Sequence, residues 1–269
     1  MVPIVLVFAG LDPGGGAGLA ADIAAIGALG GHALPVATAL TVQDNNRVHE
    51  AQPVDAGLLV RQAGALIDAC RIDAVKIGIP GSRANAAAIA GLLRRLRAAD
   101  PGLPVVLDPV LASGHGDPLG QGDAVAALAE LLPLATVLVP NLPEAQALGA
   151  VPCEHVLLTG GHGEGSVIVN RWLRGGVEQR AWRLPRLPHG YHGSGCTLAA
   201  AIAARLALGD PVGQALDHAQ DYCHQTLAQA FRIAPGQRIP RRILHTCRYM
   251  DHTGHSGHRD HTDHIERTE

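Results

Sequence analysis

Residues His189-Gly190-Tyr191-His192-Gly193-Ser194-Gly195-Cys196-Thr197 run straight into Leu198-Ala199-Ala200-Ala201-Ile202-Ala203-Ala204. A glycine-rich turn thus opens an alanine-rich helix. The first turn of a helix carries backbone N–H groups without partners, and the aligned peptide dipoles place partial positive charge there. Gly193 and Gly195, on either side of Ser194, remove side chains that would hold a phosphate away from those donors. At Cys196 the same helix terminus is expected to lower the thiol pKa. Residues 193–196 therefore predict an anion cradle joined to a proton acceptor. The alternative is a plain helix start with permissive glycines and a small buried cysteine, and the rest of the chain decides between the two.

Other residues able to do chemistry follow apolar runs. Pro3 to Gly10 reads as a buried parallel strand, and it ends in Leu11-Asp12-Pro13-Gly14-Gly15-Gly16-Ala17-Gly18 before a helix over 19–29. Asp12 is expected to offer a hydrogen bond to a small neutral substrate. The G-x-G-x-x-A match at 16–21 is a weak dinucleotide signal, because Asp12 would repel a pyrophosphate and no acidic residue ends a second strand about 20 residues on. No Gly-Lys-Ser/Thr follows, so the loop is not a Walker A sequence.

A strand over 32–42 delivers Gln43, whose amide can both donate and accept toward an aminopyrimidine-like edge. A helix is expected over 55–70. A strand over 72–79 carries Lys76, the only lysine in the chain. Ser82 caps a helix over 84–98, and a strand from Pro104 to Leu107 delivers Asp108. A helix over 122–132 precedes a strand over 136–139 and Pro140-Asn141-Leu142-Pro143-Glu144, with Asn141 as a helix cap. A strand over 156–158 delivers Thr159-Gly160-Gly161-His162. An antiparallel pair over 166–172 and 177–184 turns at Arg174-Gly175-Gly176, and a last long helix covers 211–231.

Alternating strands and helices imply a doubly wound, mostly parallel sheet with helices on both faces. Asp12, Gln43, Lys76, Asp108, Asn141, Glu144, Thr159 and Cys196 then gather at one edge, where such sheets bind ligands.

Composition narrows the class. The chain has 269 residues, 47% of them hydrophobic, which is ample for one large α/β core. Aromatics are only 3%, so that core is Ala, Val, Leu and Ile. A formal charge of −3 without a basic block argues against nucleic acid as a partner. No apolar run approaches the roughly 18 residues of a membrane span. The apolar N-terminus lacks a basic flank and reads as a strand rather than a signal peptide. Five scattered cysteines without a CxxC suit a reduced, cytoplasmic protein. Residues 1–245 are expected to form one domain. The stretch 246–269, with histidines at 252, 255, 258, 261 and 264, is expected to be a disordered tail able to bind Zn²⁺ or Ni²⁺ loosely.

From Val5 to Ile239 the chain resembles the hydroxymethylpyrimidine/phosphomethylpyrimidine kinases, which have a ribokinase-like three-layer α/β/α fold. The resemblance rests on AGLDPGGGAGLAAD (9–22), TALTVQD (38–44), KIG (76–78), VVLDPV (105–110), PNLPEA (140–145), GGH (160–162) and YHGSGCTLAAAIA (191–203). It implies ATP and Mg²⁺ as cofactors, and two successive phosphorylations of 4-amino-5-hydroxymethyl-2-methylpyrimidine in thiamine biosynthesis. It also implies an anion hole at Gly193–Cys196, with Cys196 as base. Gln43 would hold the pyrimidine beside Ala17, Ile79 and Val110. Asp108, Asn141 and Glu144 would organise Mg²⁺ and its waters, and Thr159 and Gly161 would face the nucleotide. A homodimer is the expected assembly.

The family often has Lys where Thr159 stands and Met where Ile79 stands, and its segment between Glu144 and Thr159 is usually longer than the fourteen residues here. Three other readings are carried forward: a pyridoxal or pyridoxine kinase, a non-catalytic pyrimidine-binding regulatory protein and, more remotely, a dinucleotide oxidoreductase. A serine hydrolase fails because His192 holds the first glycine position of G-x-S-x-G around Ser194.

Overall fold

The computed structural model describes residues 1–112, 117, 123–161 and 163–244. His162 and the histidine-rich stretch lie outside them. The elements in order are β1 (Ile4–Leu11), α1 (Gly18–Ala28), β2 (His32–Gln43), β3 (Val48–Pro53), α2 (Ala56–Ala69), β4 (Ala74–Ile77), α3 (Arg83–Ala99) and β5 (Val105–Leu107). They continue with α4 (Ala124–Leu128), β6 (Val137–Leu138), α5 (Leu142–Leu148), β7 (His155–Leu158), β8 (Val167–Arg174), β9 (Val177–Pro185), α6 (Ser194–Ala207) and α7 (Val212–Ala228).

The strands form one nine-stranded sheet in the order β3-β2-β1-β4-β5-β6-β7-β8-β9. From β2 to β7 every neighbouring pair is parallel. The edges are antiparallel, β3 on one side and the β8–β9 hairpin on the other. This is the expected doubly wound, three-layer α/β architecture.

The central strands are buried on both faces, as their unbroken apolar runs require. Val5, Val7 and Ala9 of β1 point into a core shared with Leu198 to Ala204 of α6 and with Leu216 and Ala219 of α7. Leu6 and Phe8 point the other way, against Leu59 of α2 and Ile89 and Leu93 of α3. Six successive α6 residues, 199–204, are fully buried, and all but Ile202 are alanine. Small side chains let that helix lie close over β1, β4 and β5, where it also meets α1 and α7. Ser82 and Asn141 act as the expected caps, accepting from the Asn85 and Glu144 amides.

Two local expectations differ from the structure. The helix expected over 122–132 is shorter, Ala124–Leu128 followed by a 3-10 turn at Leu132–Leu134, the segment between the two containing no regular helix. Pro133 in the apolar run accounts for the tighter turn. Strand β3 was not foreseen. Its sequence, VHEAQP, has exposed charge and a terminal proline, which an edge strand tolerates because one side of its ladder faces solvent. The short 145–158 segment is long enough: β7 pairs in parallel with β6 through Val137↔His155 and Leu138↔Val156. Among the described residues no helix is long and apolar enough to cross a membrane.

The chain winds from β1 out to β2 and β3, then crosses back to β4 on the other side of β1. The carboxyl ends of β1 and β4 therefore bound the crevice where winding reverses.

Candidate active site

At that crevice lies a cleft of about 500 Å³. Asp12, Ala17, Gln43, Ile79, Asp108, Val110, Asn141, Glu144, Thr159, Gly161 and the turn Gly193–Cys196 all line it, and Lys76 lies at its floor. The topology thus brings every residue singled out above into one space.

The glycine turn is built as an open helix terminus. Gly193 is the N-cap of α6, at φ 79° and ψ 22°, and no side chain caps the first turn. Its left-handed backbone disfavours any other residue. A Cβ there would also clash with the Gly16 carbonyl oxygen and lie 2.9 Å from the Ala17 Cα. The turn therefore packs backbone to backbone on the β1–α1 loop. A Cβ on Gly195 would lie 3.9 Å from Asp108 Oδ2, so the helix start faces Asp108 across the cleft.

The β1–α1 loop is held by its own aspartate. Asp12 accepts from the Gly14, Gly16 and Ala17 amides at 2.7, 2.9 and 2.8 Å, and His192 Nε2 is 2.8 Å from Asp12 Oδ2. Burial alone would raise this carboxyl, but His192, Gln43 and the Ala17 and Gly14 amides outweigh it and hold it at about 2. The expectation of an oxygen waiting for substrate is therefore corrected: both Asp12 oxygens bind the chain itself, because the loop needs an acceptor for three converging N–H groups. His192 as its partner was not foreseen.

Asp108 and Glu144 differ in their engagement. Glu144 Oε2 accepts the Asn141 amide at 2.8 Å, and the Asn141 side chain accepts the Glu144 amide at 2.8 Å, a reciprocal capping box. Burial, with the neighbouring Asp108 charge, pushes Glu144 up to about 7. Asp108 is only 4% exposed and its Oδ2 has no hydrogen-bond partner. Burial pushes it up to about 6, with Lys76 opposing. A buried carboxylate oxygen left unpaired beside an open helix terminus fits a hard divalent cation shared with phosphate oxygens. Among the described residues no group of three or more His, Cys, Asp or Glu is placed to hold a metal ion by itself.

Beneath the cleft, Lys76 Nζ is 2.9 Å from Asp22 Oδ2, with both side chains fully buried. Alternation along β4 puts Lys76 on the face of Ala74, under α1 and α6. Burial works against its charge, but Asp22, Cys196 and Asp108 outweigh that and hold the ammonium protonated. Asp22 was not foreseen; a lone acid on the buried side of an apolar helix was its only signal.

The Cys196 expectation is overturned in sign. The residue keeps partial exposure at the cleft, yet burial of the thiol pushes it up to about 12. Lys76 pulls it down, while Asp108 and Asp22 add to the rise. The helix terminus does not compensate for desolvation beside two carboxylates, and the resting group is a thiol rather than a thiolate.

A family model for phosphomethylpyrimidine kinase matches residues 12–152 and 146–240. The hydroxymethylpyrimidine/phosphomethylpyrimidine kinase of Rhizobium meliloti is 38% identical over 263 residues, covering 88% of this chain and 95% of that protein. The crystal structure of the Clostridium difficile phosphomethylpyrimidine kinase superposes with a TM-score of 0.69 at 27% identity, covering 83% of this chain and 98% of that one. Staphylococcus aureus pyridoxal kinase, solved with AMP-PCP and pyridoxal, shares the fold with a TM-score of 0.76 at 23% identity, covering 90% of this chain and 94% of that one. Matched almost end to end, in sequence as in fold, the chain belongs to the phosphomethylpyrimidine kinase family.

Proposed function

We propose that this chain is an ATP- and Mg²⁺-dependent kinase that phosphorylates 4-amino-5-hydroxymethyl-2-methylpyrimidine and then its monophosphate, in thiamine biosynthesis. One observation carries the reading: the uncapped start of α6, the unpaired Asp108 oxygen and the Gln43 amide line a single cleft. Phosphoryl transfer needs positioning, charge neutralisation and a proton acceptor beside the attacking hydroxyl, and these groups supply each.

In this reading Gln43 orients the aminopyrimidine, with Ala17, Ile79 and Val110 as its walls. With Cys196 first deprotonated to the thiolate, its proton lost to solvent, the alcohol attacks the terminal phosphorus, the bond to the ADP oxygen breaks, and the hydroxyl proton passes to Cys196 Sγ. The amides of Gly193–Cys196 hold the oxygens on which charge builds. Asp108 and Glu144, with Asn141 fixing Glu144, would hold Mg²⁺ and its waters; the ion would supply charge neutralisation. Thr159 and Gly161 face the nucleotide side. A homodimer remains the expected assembly.

The test is an ATP-dependent assay with product masses read out, in which one and then two phosphoryl groups should appear on the pyrimidine. Pyrimidine binding without transfer would make the protein a non-catalytic binder. A higher kcat/KM on pyridoxal would make it a vitamin B6 kinase.

Gln43→Ala should raise KM for the pyrimidine by about 10- to 100-fold, the effect of losing a bidentate amide contact, with a smaller change in kcat. Gln43 ends β2, where the register with β3 shifts by a bulge between Val42 and Gln43. Unchanged KM in that variant would remove the assigned contact.

A further inference from the structure

The chain after α7 returns across the cleft and ties its two sides together. Asn45 Nδ2 on the β2–β3 turn donates to the Pro235 and Gln237 carbonyls at 3.1 and 3.0 Å. His192 N donates to Arg238 O at 2.9 Å, and Arg238 N to Gly190 O at 2.9 Å. The segment then turns inward, and Tyr222 Oη donates to Arg242 O at 2.8 Å.

Arg242 is 5% exposed. Its Nε donates to Thr197 Oγ1 at 2.9 Å, and its Nη2 to Gly16 O at 2.5 Å and Gly193 O at 3.4 Å. Its Nη1 reaches Gly15 O at 3.4 Å. One planar fork therefore spans the seam between the β1–α1 loop and the start of α6. All these acceptors are neutral oxygens. The guanidinium is thus hydrogen-bonded only to neutral oxygens, with Asp22 acting on it through space, and its positive charge lies at the very turn that would receive an anion.

We propose that Arg242 is a positioning residue: by joining the Gly15–Gly16 carbonyls to Gly193 and Thr197, it sets the distance between the substrate-side loop and the anion-binding turn. The inference rests on the phosphoryl-transfer reading for its kinetic effect, but the tie itself is independent of it. Lysine cannot replace the fork, since one ammonium cannot reach acceptors on both sides in one plane.

The experiment compares Arg242→Ala and Arg242→Lys in the full chain, by steady-state kinetics on the pyrimidine and by amide hydrogen exchange. Arg242→Ala should lower kcat about 100-fold, the cost of a misplacement near 1 Å, while KM for the pyrimidine changes within about threefold. Arg242→Lys, which keeps the charge, should recover about tenfold of that loss. Exchange should quicken together at residues 14–18 and 193–197 and stay unchanged in β1 and β4. Should Arg242→Ala fail to fold, Arg242→Lys carries the test, with a kcat loss of about tenfold expected. Near-wild-type kcat in a folded variant, or equal losses in kcat and pyrimidine affinity with lysine no better than alanine, would overturn the proposal. If the wild-type chain transfers no phosphate, the functional reading fails. The exchange data then decide alone: coupled quickening of the two segments supports the tie and unchanged exchange refutes it.

Discussion

Cys196→Ala is expected to lower kcat by about 10²–10⁴-fold, the usual worth of a positioned general base, while pyrimidine affinity stays close to wild type. The sulfur sits at the third residue of α6, directly after the amides that would hold the terminal phosphate. Removing it takes away no substrate wall, because Gln43, Ala17, Ile79 and Val110 lie on the other elements of the cleft. The sign of the pH dependence follows from burial. A thiol pushed up to about 12 is protonated in the neutral range, so the reactive fraction grows as pH rises. Once Asp108 and Glu144 have ionised, above about 7, wild-type kcat should therefore climb with pH by up to about tenfold per unit until another step limits it, and the residual activity of Cys196→Ala should be flat there. Lys76 pulls the thiol down, and a cation held at Asp108 would offset the carboxylate that raises it, bringing the turnover-competent form closer to neutral pH. Stopped-flow or steady-state kcat over a pH series checks both claims. Near-normal turnover in Cys196→Ala, or parallel pH profiles, would remove sulfur from the proton transfer.

The order of elements was legible because the strands are apolar runs and the helices are bounded by Ser82, Asn141 and the glycine turns, so period and punctuation agreed. The common edge of Asp12, Gln43, Asp108 and Cys196 was legible for the same reason, since a parallel sheet sends all its strand ends one way. What stayed hidden depends on distance rather than pattern. The pairing of Lys76 with Asp22 spans 54 positions, and that of His192 with Asp12 spans 180. Arg242 lies in IPRRILH, where nothing distinguishes it from Arg241, which is exposed while Arg242 is buried. The Cys196 thiol was misjudged because the helix dipole is written in the sequence and desolvation is not. Strand β3 was missed because an edge strand needs no apolar alternation.

Lys76→Met is expected to destabilise the fold by about 3–5 kcal/mol, because it leaves the Asp22 carboxylate buried without its cation. For a chain of this size that is a fall of roughly 6–20 °C in Tm, read by thermal melting. The pair itself is a poor source of stability: Asp22 Oδ1 has no partner, and two ions must be taken from water to form it. The double variant Lys76→Met, Asp22→Leu should therefore recover most of the lost Tm, as apolar replacements of buried pairs commonly do. Such a core would serve the sheet equally well, so the reason for an ion pair must lie above it, where Cys196 and Asp108 sit within its field. With Lys76 gone, both groups lose the cation that lowers their pKa, and one unit of upward shift corresponds to about tenfold less thiolate. The double variant also removes Asp22, which opposes Lys76 at both groups but more weakly. It should therefore fold like wild type and turn over more slowly than wild type at neutral pH, by less than the loss of Lys76 alone would give. Recovery of both Tm and kcat would reduce the pair to packing. Recovery of Tm alone would locate the chain's single lysine in the electrostatics of the reaction, although it is sealed from solvent.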